Sequence, residues 1–538
     1  MRSAVPRALR RAAGRPLGGP GALPTTLQGS RRIAFTKTRG PNPLFFYSGA
    51  RLSSSTAVQP DHDPERQWST PLAKQLAEAI SATGPVPLAS FMRMCLTADV
   101  GGYYTGAIED GRDQFGLKGD FVTSPEISQA FGELVGIWFV AEWMAQGRQT
   151  TGVELIEVGP GRGTLMDDML RTIQNFPAMA NSIDAVYMVE ASPKLREAQK
   201  ALLCGPDATM TESKVGYHSI CKYMSVPIVW TDTIKSIPNS ADKMPLIVAH
   251  EFFDALPIHA FQCVDVPATQ SHPPEDGDKS SPSSKTSQPT RQWRELLVSP
   301  TPPGSNHESL NTPASQSRDT PPPDFQLTVA KAPTRHALYL PESSPRYRGI
   351  KSRVGPGALI EICPDAALYA GDFAARIGGS AKHPKPKPCG AALILDYGPG
   401  DGSVPTNSLR GIRRHRRVSP FAEPGLTDLS ADVDFAGIAE SALKASEGVE
   451  VHGPVEQAAF LLSMGIQERA EQLVLAAAAK GKDKDGDDGR YAEDVERAWK
   501  RLVDRGPGGM GKVYKALAIL PENEGRRRPV GFGGDVDV

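Results

Sequence analysis

At 538 residues, with 39% hydrophobic residues and a formal net charge of −1, the chain can bury one large core or two moderate ones. No apolar run approaches the length of a bilayer span, so membrane insertion is not expected. The six cysteines (Cys95, Cys204, Cys221, Cys263, Cys363 and Cys389) are far apart without a C-x-x-C pair, and the ten histidines are scattered, so neither a disulfide framework nor a metal site is expected.

The charge is unevenly placed. Residues 1–60 carry nine arginines, one lysine and no acid, and the first carboxylate is Asp61. An Arg-rich, acid-free start reads as a mitochondrial transit peptide without a fold of its own; a basic arm for nucleic acid is the alternative. Without those charges the remainder is near −11, which suits basic peptide partners better than phosphate backbones, so no nucleic-acid partner is expected.

Residues 61–150 read as a helical segment. Ser69-Thr70-Pro71 offers a capping hydroxyl and a first-turn proline, and Leu72, Leu76 and Ile80 then share one face. A Gly/Tyr-rich loop (101–105) precedes Gly119–Glu126, where Ser124 is the expected N-cap and Pro125 the first residue of a long helix. Phe131, Leu134, Val135, Trp138 and Phe139 supply its buried face. The hydroxyls ahead of it, Tyr104, Thr123 and Ser124, are read as part of a cofactor lid; a well-capped helix alone is the plainer reading.

The most informative stretch is Glu154–Leu165. Leu155, Ile156 and Val158 suit a buried parallel strand, glycines follow at 159, 161 and 163, and Leu165, Met166, Met169, Leu170 and Ile173 recur at helical spacing. Strand, glycine turn and helix open a doubly wound α/β sheet, with backbone free to approach a ligand at a helix N-terminus. A dinucleotide fingerprint would place its third glycine at Thr164, so nicotinamide chemistry is the weaker alternative. Glu157 precedes the turn, Glu190 ends a second strand and is placed for ribose hydroxyls, and Asp232 follows a third, where a side chain reaches an adenine. A fourth strand, Leu246–Ala249, runs into His250-Glu251-Phe252-Phe253-Asp254, putting a histidine and two acids at a strand's carboxyl end.

Residues 267–324 are rich in Pro, Ser and Thr and are expected to be a disordered insertion carrying one strand-like island, 292–298; shorter excursions lie at 382–388 and 480–489. The sheet resumes at Ala392–Gly398, which closes a core assigned to 151–400. A basic loop (409–417) and an acidic run (426–435) begin a substrate-side region at 401–520, followed by a tail at 521–538. Gly506–Lys515 mimics a kinase phosphate loop, but only 23 residues follow it and no kinase catalytic motif is present.

Five motifs together resemble the MidA family of S-adenosylmethionine-dependent methyltransferases: Gly119–Ser128, Glu157–Leu165, His250–Pro257, Leu395–Gly398 and Asp428–Phe435. The resemblance spans about residues 70–520, and the long insertions fall between its motifs. It implies a class I methyltransferase fold with a helical N-terminal segment and added C-terminal elements, and S-adenosyl-L-methionine held by Glu157, Gly159, Gly161, Gly163, Glu190, Asp232, Tyr104, Thr123 and Ser124. It further implies symmetric dimethylation of an arginine on a matrix-arm subunit of respiratory complex I, in the mitochondrial matrix; a homo-oligomer is compatible with it. Glu251 and Asp254 are the expected carboxylates for the guanidinium, with His250 or solvent taking the released proton. A cofactor-binding assembly chaperone without catalysis is the other alternative.

Overall fold

A computed structural model of the chain describes residues 66–106, 114, 116, 119–266, 290–479 and 488–533. The expected transit peptide lies outside them.

The first helix, α1 (Pro71–Thr83), starts where its capping signal stands: Thr70 Oγ1 accepts from the Ala73 N–H at 3.0 Å. Leu72, Leu76 and Ile80 are buried with Phe91 and Leu96 of α2 (Leu88–Thr97), which follows the short β1 (Val86–Pro87). The next helix differs from expectation at its start. Thr123, not Ser124, caps α3 (Ser124–Ile127), and Glu126 Oε2 accepts from the Thr123 N–H at 3.1 Å. Ser128, extended at φ −151°, interrupts the run and caps α4 (Gln129–Ala145). Two successive hydroxyls offered capping, and the second prevailed for the long helix.

Nine strands form the main sheet: β2 (Val153–Val158), β3 (Ile183–Val189), β4 (Thr211–Glu212), β5 (Tyr217–Ile220), β6 (Pro227–Thr231), β7 (Met244–His250), β12 (Ala391–Tyr397), β16 (Val449–Glu456) and β17 (Tyr514–Pro521). Their spatial order is β16-β17-β12-β7-β2-β3-β6-β5-β4. The five strands from β12 to β6 are parallel, and both edges are antiparallel. From β2 the chain runs outward through β3 to β6, then returns to β7 and continues to β12 on the other side. The order therefore reverses between β2 and β7, which opens a crevice at their carboxyl ends.

Every residue of β2 is buried, as a central parallel strand requires. One face packs Phe131 and Trp138 of α4 against Met169 and Leu170 of α5 (Thr164–Ile173). The short α6 (Pro177–Ala180) leads into β3, and α7 (Pro193–Cys204) follows it.

Between β7 and β12 the chain builds an antiparallel sheet from β8 (His259–Val266), β9 (Thr290–Pro300), β10 (Phe325–Val329) and β11 (Leu359–Ile362), with β1 on the edge of β9. Helices α8 (Arg335–Tyr339) and α9 (Pro345–Lys351) lie in the same segment. Part of the expected disordered insertion is thus folded. Residues 267–289 lie outside the described residues, but β9 spans eleven and buries Trp293, Leu296 and Val298 between β8 and β10. The Pro-rich loop after it is tied back by the Thr301 N–H to Asp324 O (2.8 Å) and by buried Thr312 and Gln316. Composition describes an average, and a few well-spaced apolar residues were enough to anchor this segment. At 382–388 likewise, the Lys385 ammonium is buried and donates to the carbonyls of Lys243, Arg376 and Cys389.

Helix α10 (Pro364–Gly378) covers the second face of the main sheet with Phe373 and Ile377. The strands β13 (Arg410–Arg413), β14 (Arg416–Val418) and β15 (Asp428–Ser430) form a small sheet of their own, and α11 (Phe435–Ala445) adds Phe435 and Ile438 beside α10. The core does not close at residue 400: β17 inserts antiparallel between β12 and β16 after helices α12 (Gln457–Ser463), α13 (Ile466–Ala479) and α14 (Asp488–Val503). The segment 521–533 is packed rather than a free tail, since Arg527 forks onto the buried Glu142 carboxylate (2.8 and 2.6 Å) and Val530 O accepts from Trp138 Nε1.

Candidate cofactor and substrate cleft

A cleft of about 320 Å³ lies where the sheet order reverses. The glycine turn forms its floor. Gly159 sits at φ +69°, and a Cβ there would lie 2.5 Å from Phe252 Cδ2; Gly163, at φ +85°, starts α5 as its N-cap. Gly161 also has positive φ (+52°). The first N–H groups of α5 stay available beside the turn.

Two carboxylates stand over this floor. Glu157 is buried, its Oε2 meets no donor among the described residues, and desolvation together with the nearby Glu190 pushes its pKa well above the ordinary carboxylate range. Glu190 accepts from the Ser192 N–H (2.8 Å) and from Gln199 Nε2 (3.2 Å), yet burial still raises it to about 7. Gln199 escaped sequence reading. Its amide also donates to Gly161 O (2.6 Å), and its Oε1 accepts from Trp230 Nε1 (2.9 Å), so one side chain locks turn, acid and sheet together. Its place one α-helical face inward on α7 carries no motif. Asp232 lines the cleft beyond β6, largely exposed, and pairs with Arg196 at 3.1 Å.

The N-terminal segment supplies the opposite wall through Tyr104, Phe121, Thr123 and Glu126. Tyr104 donates to Asp428 Oδ1 at 2.8 Å, and Arg162 of the glycine turn reaches Glu126 at 4.0 Å. Ser124 does not line the cleft: its N–H points to Glu251 Oε1 at 3.4 Å, and its hydroxyl is buried without a partner among the described residues.

At the end of β7 the chain turns sharply. Glu251 takes φ +48°, a left-handed conformation uncommon outside glycine, and both His250 and Glu251 face the cleft with His250 Nε2 3.2 Å from Glu251 Oε1. The turn is held from below by Asp396 at the end of β12, which is fully buried. Its Oδ2 accepts from the N–H groups of Phe252 (3.2 Å), Phe253 (2.9 Å) and Asp254 (3.3 Å). The sequence shows an apolar strand ending in Leu-Asp-Tyr-Gly, but no local pattern gives this aspartate a role.

Asp254 is not brought to the cleft wall. It lies behind the turn, accepting from the Tyr397 hydroxyl, with its second oxygen buried and unpartnered among the described residues; burial raises its pKa. The Arg410 guanidinium covers the Tyr397 ring at 4.4 Å and bonds Asp432 Oδ1 at 2.8 Å, so the basic and acidic runs meet here.

Carboxylates outnumber cations along the cleft: Glu126, Glu157, Glu190, Asp232, Glu251 and Asp365 stand against Arg93 and Arg162. Arg93 is already paired with Asp365 at 2.8 Å. Such a wall favours a cationic guest bearing hydroxyl groups.

A parallel sheet with this order, a glycine turn at its switch point and acids after successive strands defines a nucleoside-cofactor-binding α/β protein. Residues 134–455 match the model of the family described as "Putative S-adenosyl-L-methionine-dependent methyltransferase", and the chain belongs to that family. It is 33% identical over 461 residues to the rat "Protein arginine methyltransferase NDUFAF7, mitochondrial", covering 85% of this chain and 86% of that one. The human protein of the same name is 31% identical over 481 residues, covering 89% and 88%. In fold, the chain is similar to a COG1565 superfamily member from Burkholderia thailandensis crystallised with S-adenosyl-homocysteine (TM-score 0.57, 22% identity, 87% of this chain and 93% of that one). The nicotinamide alternative is set aside, and the cofactor is S-adenosyl-L-methionine. The cleft fits it on one observation: the orphaned Glu157 oxygen is an acceptor awaiting a donor such as a hydroxyl.

Proposed function

We propose that this methyltransferase modifies arginine in a protein, acts in the mitochondrial matrix, and symmetrically dimethylates a complex I matrix-arm subunit during assembly. The relatives named as mitochondrial protein arginine methyltransferases support the arginine substrate and a mitochondrial location, and the Arg-rich composition of residues 1–60 supports that location. The observation that carries the reading is Glu251, held in a left-handed turn with its carboxylate in the wall of an acidic cleft.

The cofactor supplies an electrophilic methyl group on a sulfonium. Glu157 and Glu190 would take its ribose hydroxyls, the turn from Gly159 to Gly163 its closest approach to backbone, and Asp232 the adenine edge, with Tyr104 and Thr123 on the wall opposite. A guanidinium is a delocalised cation and a poor nucleophile. Pairing with Glu251 would localise its charge on one nitrogen and aim the other, so that alignment and water exclusion supply much of the rate. His250, with Nε2 3.2 Å from Glu251 Oε1, would accept the released proton. Asp254 acts as a positioning residue through Tyr397 rather than by touching substrate, and Ser124 acts through its N–H to Glu251.

Labelled methyl transfer to a recombinant matrix-arm subunit tests this, with Glu251→Gln and Gly161→Val alongside. Glu251→Gln is expected to lower turnover on the order of 10²-fold or more while cofactor affinity changes little. Gly161→Val is expected to abolish cofactor binding. Full turnover by Glu251→Gln would overturn the assignment. Cofactor binding by the parent protein with no label on any arginine would favour the non-catalytic chaperone.

A further inference from the structure

The second sheet assembles three side chains that the sequence keeps 36 and 41 residues apart. His259 opens β8, Glu295 lies in β9 and His336 is on α8. In the antiparallel ladder Phe261 pairs with Glu295, which makes His259, two residues back on the same face, the diagonal neighbour of Glu295. His259 Nδ1 lies 2.7 Å from Glu295 Oε1, and His336 Nδ1 lies 3.1 Å from the same oxygen. The two imidazole centroids are 4.2 Å apart. The Thr334 hydroxyl donates to the other carboxylate oxygen, Oε2, and so sets the carboxylate plane.

A single histidine would satisfy a buried carboxylate oxygen. Here two imidazole nitrogens close on one carboxylate, His259 Nδ1 on Oε1 and His336 Nδ1 between Oε1 (3.1 Å) and Oε2 (3.2 Å), and a ligand atom from each of the three residues lies within 4.8 Å of the others. In a tetrahedral zinc site with bonds near 2.0–2.1 Å, ligand atoms sit roughly 3.3 Å apart, so the nitrogen–oxygen separations of 2.7 and 3.1 Å need only a small opening. Two histidines and one glutamate are a zinc donor set that leaves one position open. The open side is available: His259 and His336 line a cavity of about 330 Å³ together with Arg93, Pro257 and Asp365, which also line the cofactor cleft.

We propose that His259, Glu295 and His336 bind one zinc-type divalent cation, with water or an anionic group in the fourth position. The ion pins α8 to the β8–β9 ladder behind the Arg93–Asp365 rim. Binding is an exchange without redox change: the ion displaces the Nδ1 protons that both imidazoles direct at Glu295, these pass to solvent, and each ring keeps or takes up a proton at Nε2 so that it binds as a neutral ligand. The site shares no residue with the methyl-transfer assignments.

The test uses the untagged full chain, stripped with a chelator and titrated with Zn²⁺ against a chromophoric competitor, with Co²⁺ as a spectroscopic probe. One equivalent of Zn²⁺ is expected, with a visible Co²⁺ band and a higher Tm on loading. His336 is exposed, so His336→Ala should fold and retain cofactor binding while losing at least tenfold in metal affinity. Glu295→Gln should lose the Co²⁺ band, and His383→Ala, an exposed histidine elsewhere, should match the parent. Absence of stoichiometric Zn²⁺ uptake at micromolar concentration, or equal uptake by His336→Ala, would overturn the proposal.

Discussion

The cleft acids behave differently because their surroundings differ. Glu251 gains its position from backbone conformation, and three residues on, Asp254 is turned away because its own N–H is drawn down to Asp396. In the sequence the two are equivalent, since spacing after a strand does not reveal which way a left-handed turn sends each side chain. Glu190 makes a separate prediction. Burial raises it from 4.5 to about 7, so between those pH values the folded protein holds a proton that the unfolded chain has released. The stability this proton represents is complete below pH 4.5, falls as pH rises towards 7, and is then lost. One pKa unit corresponds to about 1.36 kcal/mol, which sets an upper bound of roughly 3 kcal/mol on the effect. Glu190→Gln should therefore gain Tm relative to the parent as pH is raised from 5 to 7.5 in the cofactor-free state. Parallel Tm profiles would show that Glu190 ionises normally.

At the scale of elements, the glycine turn and the loop after β7 form one unit. The Cβ of an alanine at 159 would lie 2.5 Å from Phe252 Cδ2, in a backbone at φ +69° that already disfavours it. Displacing Phe252 moves the wall that carries Glu251. Gly159→Ala should weaken cofactor binding at least tenfold by calorimetry. Gly402→Ala, also at positive φ (+79°) but with nothing within 4 Å, should leave it unchanged. If the two substitutions had equal effects, backbone strain and not the Phe252 contact would control the site. The helix ahead of the cleft was legible as a capped amphipathic segment, but its division at Ser128 was not, because both Thr123 and Ser128 carry valid capping signals.

For the whole molecule, β17 is the informative element. It is hydrogen-bonded on both sides, to β12 and to β16, and Ala516–Leu520 are fully buried. A chain ending at Val503 would leave two strands with open edges and an uncovered core, so it should be insoluble or lack native circular dichroism and cofactor binding. A soluble truncated chain that binds S-adenosyl-L-methionine would mean that the sheet is complete without β17. What the sequence determined by itself were the features encoded within a few residues. These are the buried parallel strand of β2, the glycine turn, the acids closing β2, β3 and β7, and the capping of α1, all of which follow from local backbone preference and periodicity. Tertiary structure alone decided what depends on distant partners. It inserted β17 between β12 and β16, ordered β9 within a Pro/Ser/Thr-rich stretch, placed Gln199 and Asp396 beneath the cleft, and gathered His259, Glu295 and His336 from scattered positions. Strand pairing and side-chain convergence are satisfied only once the chain has folded, and no local pattern records them.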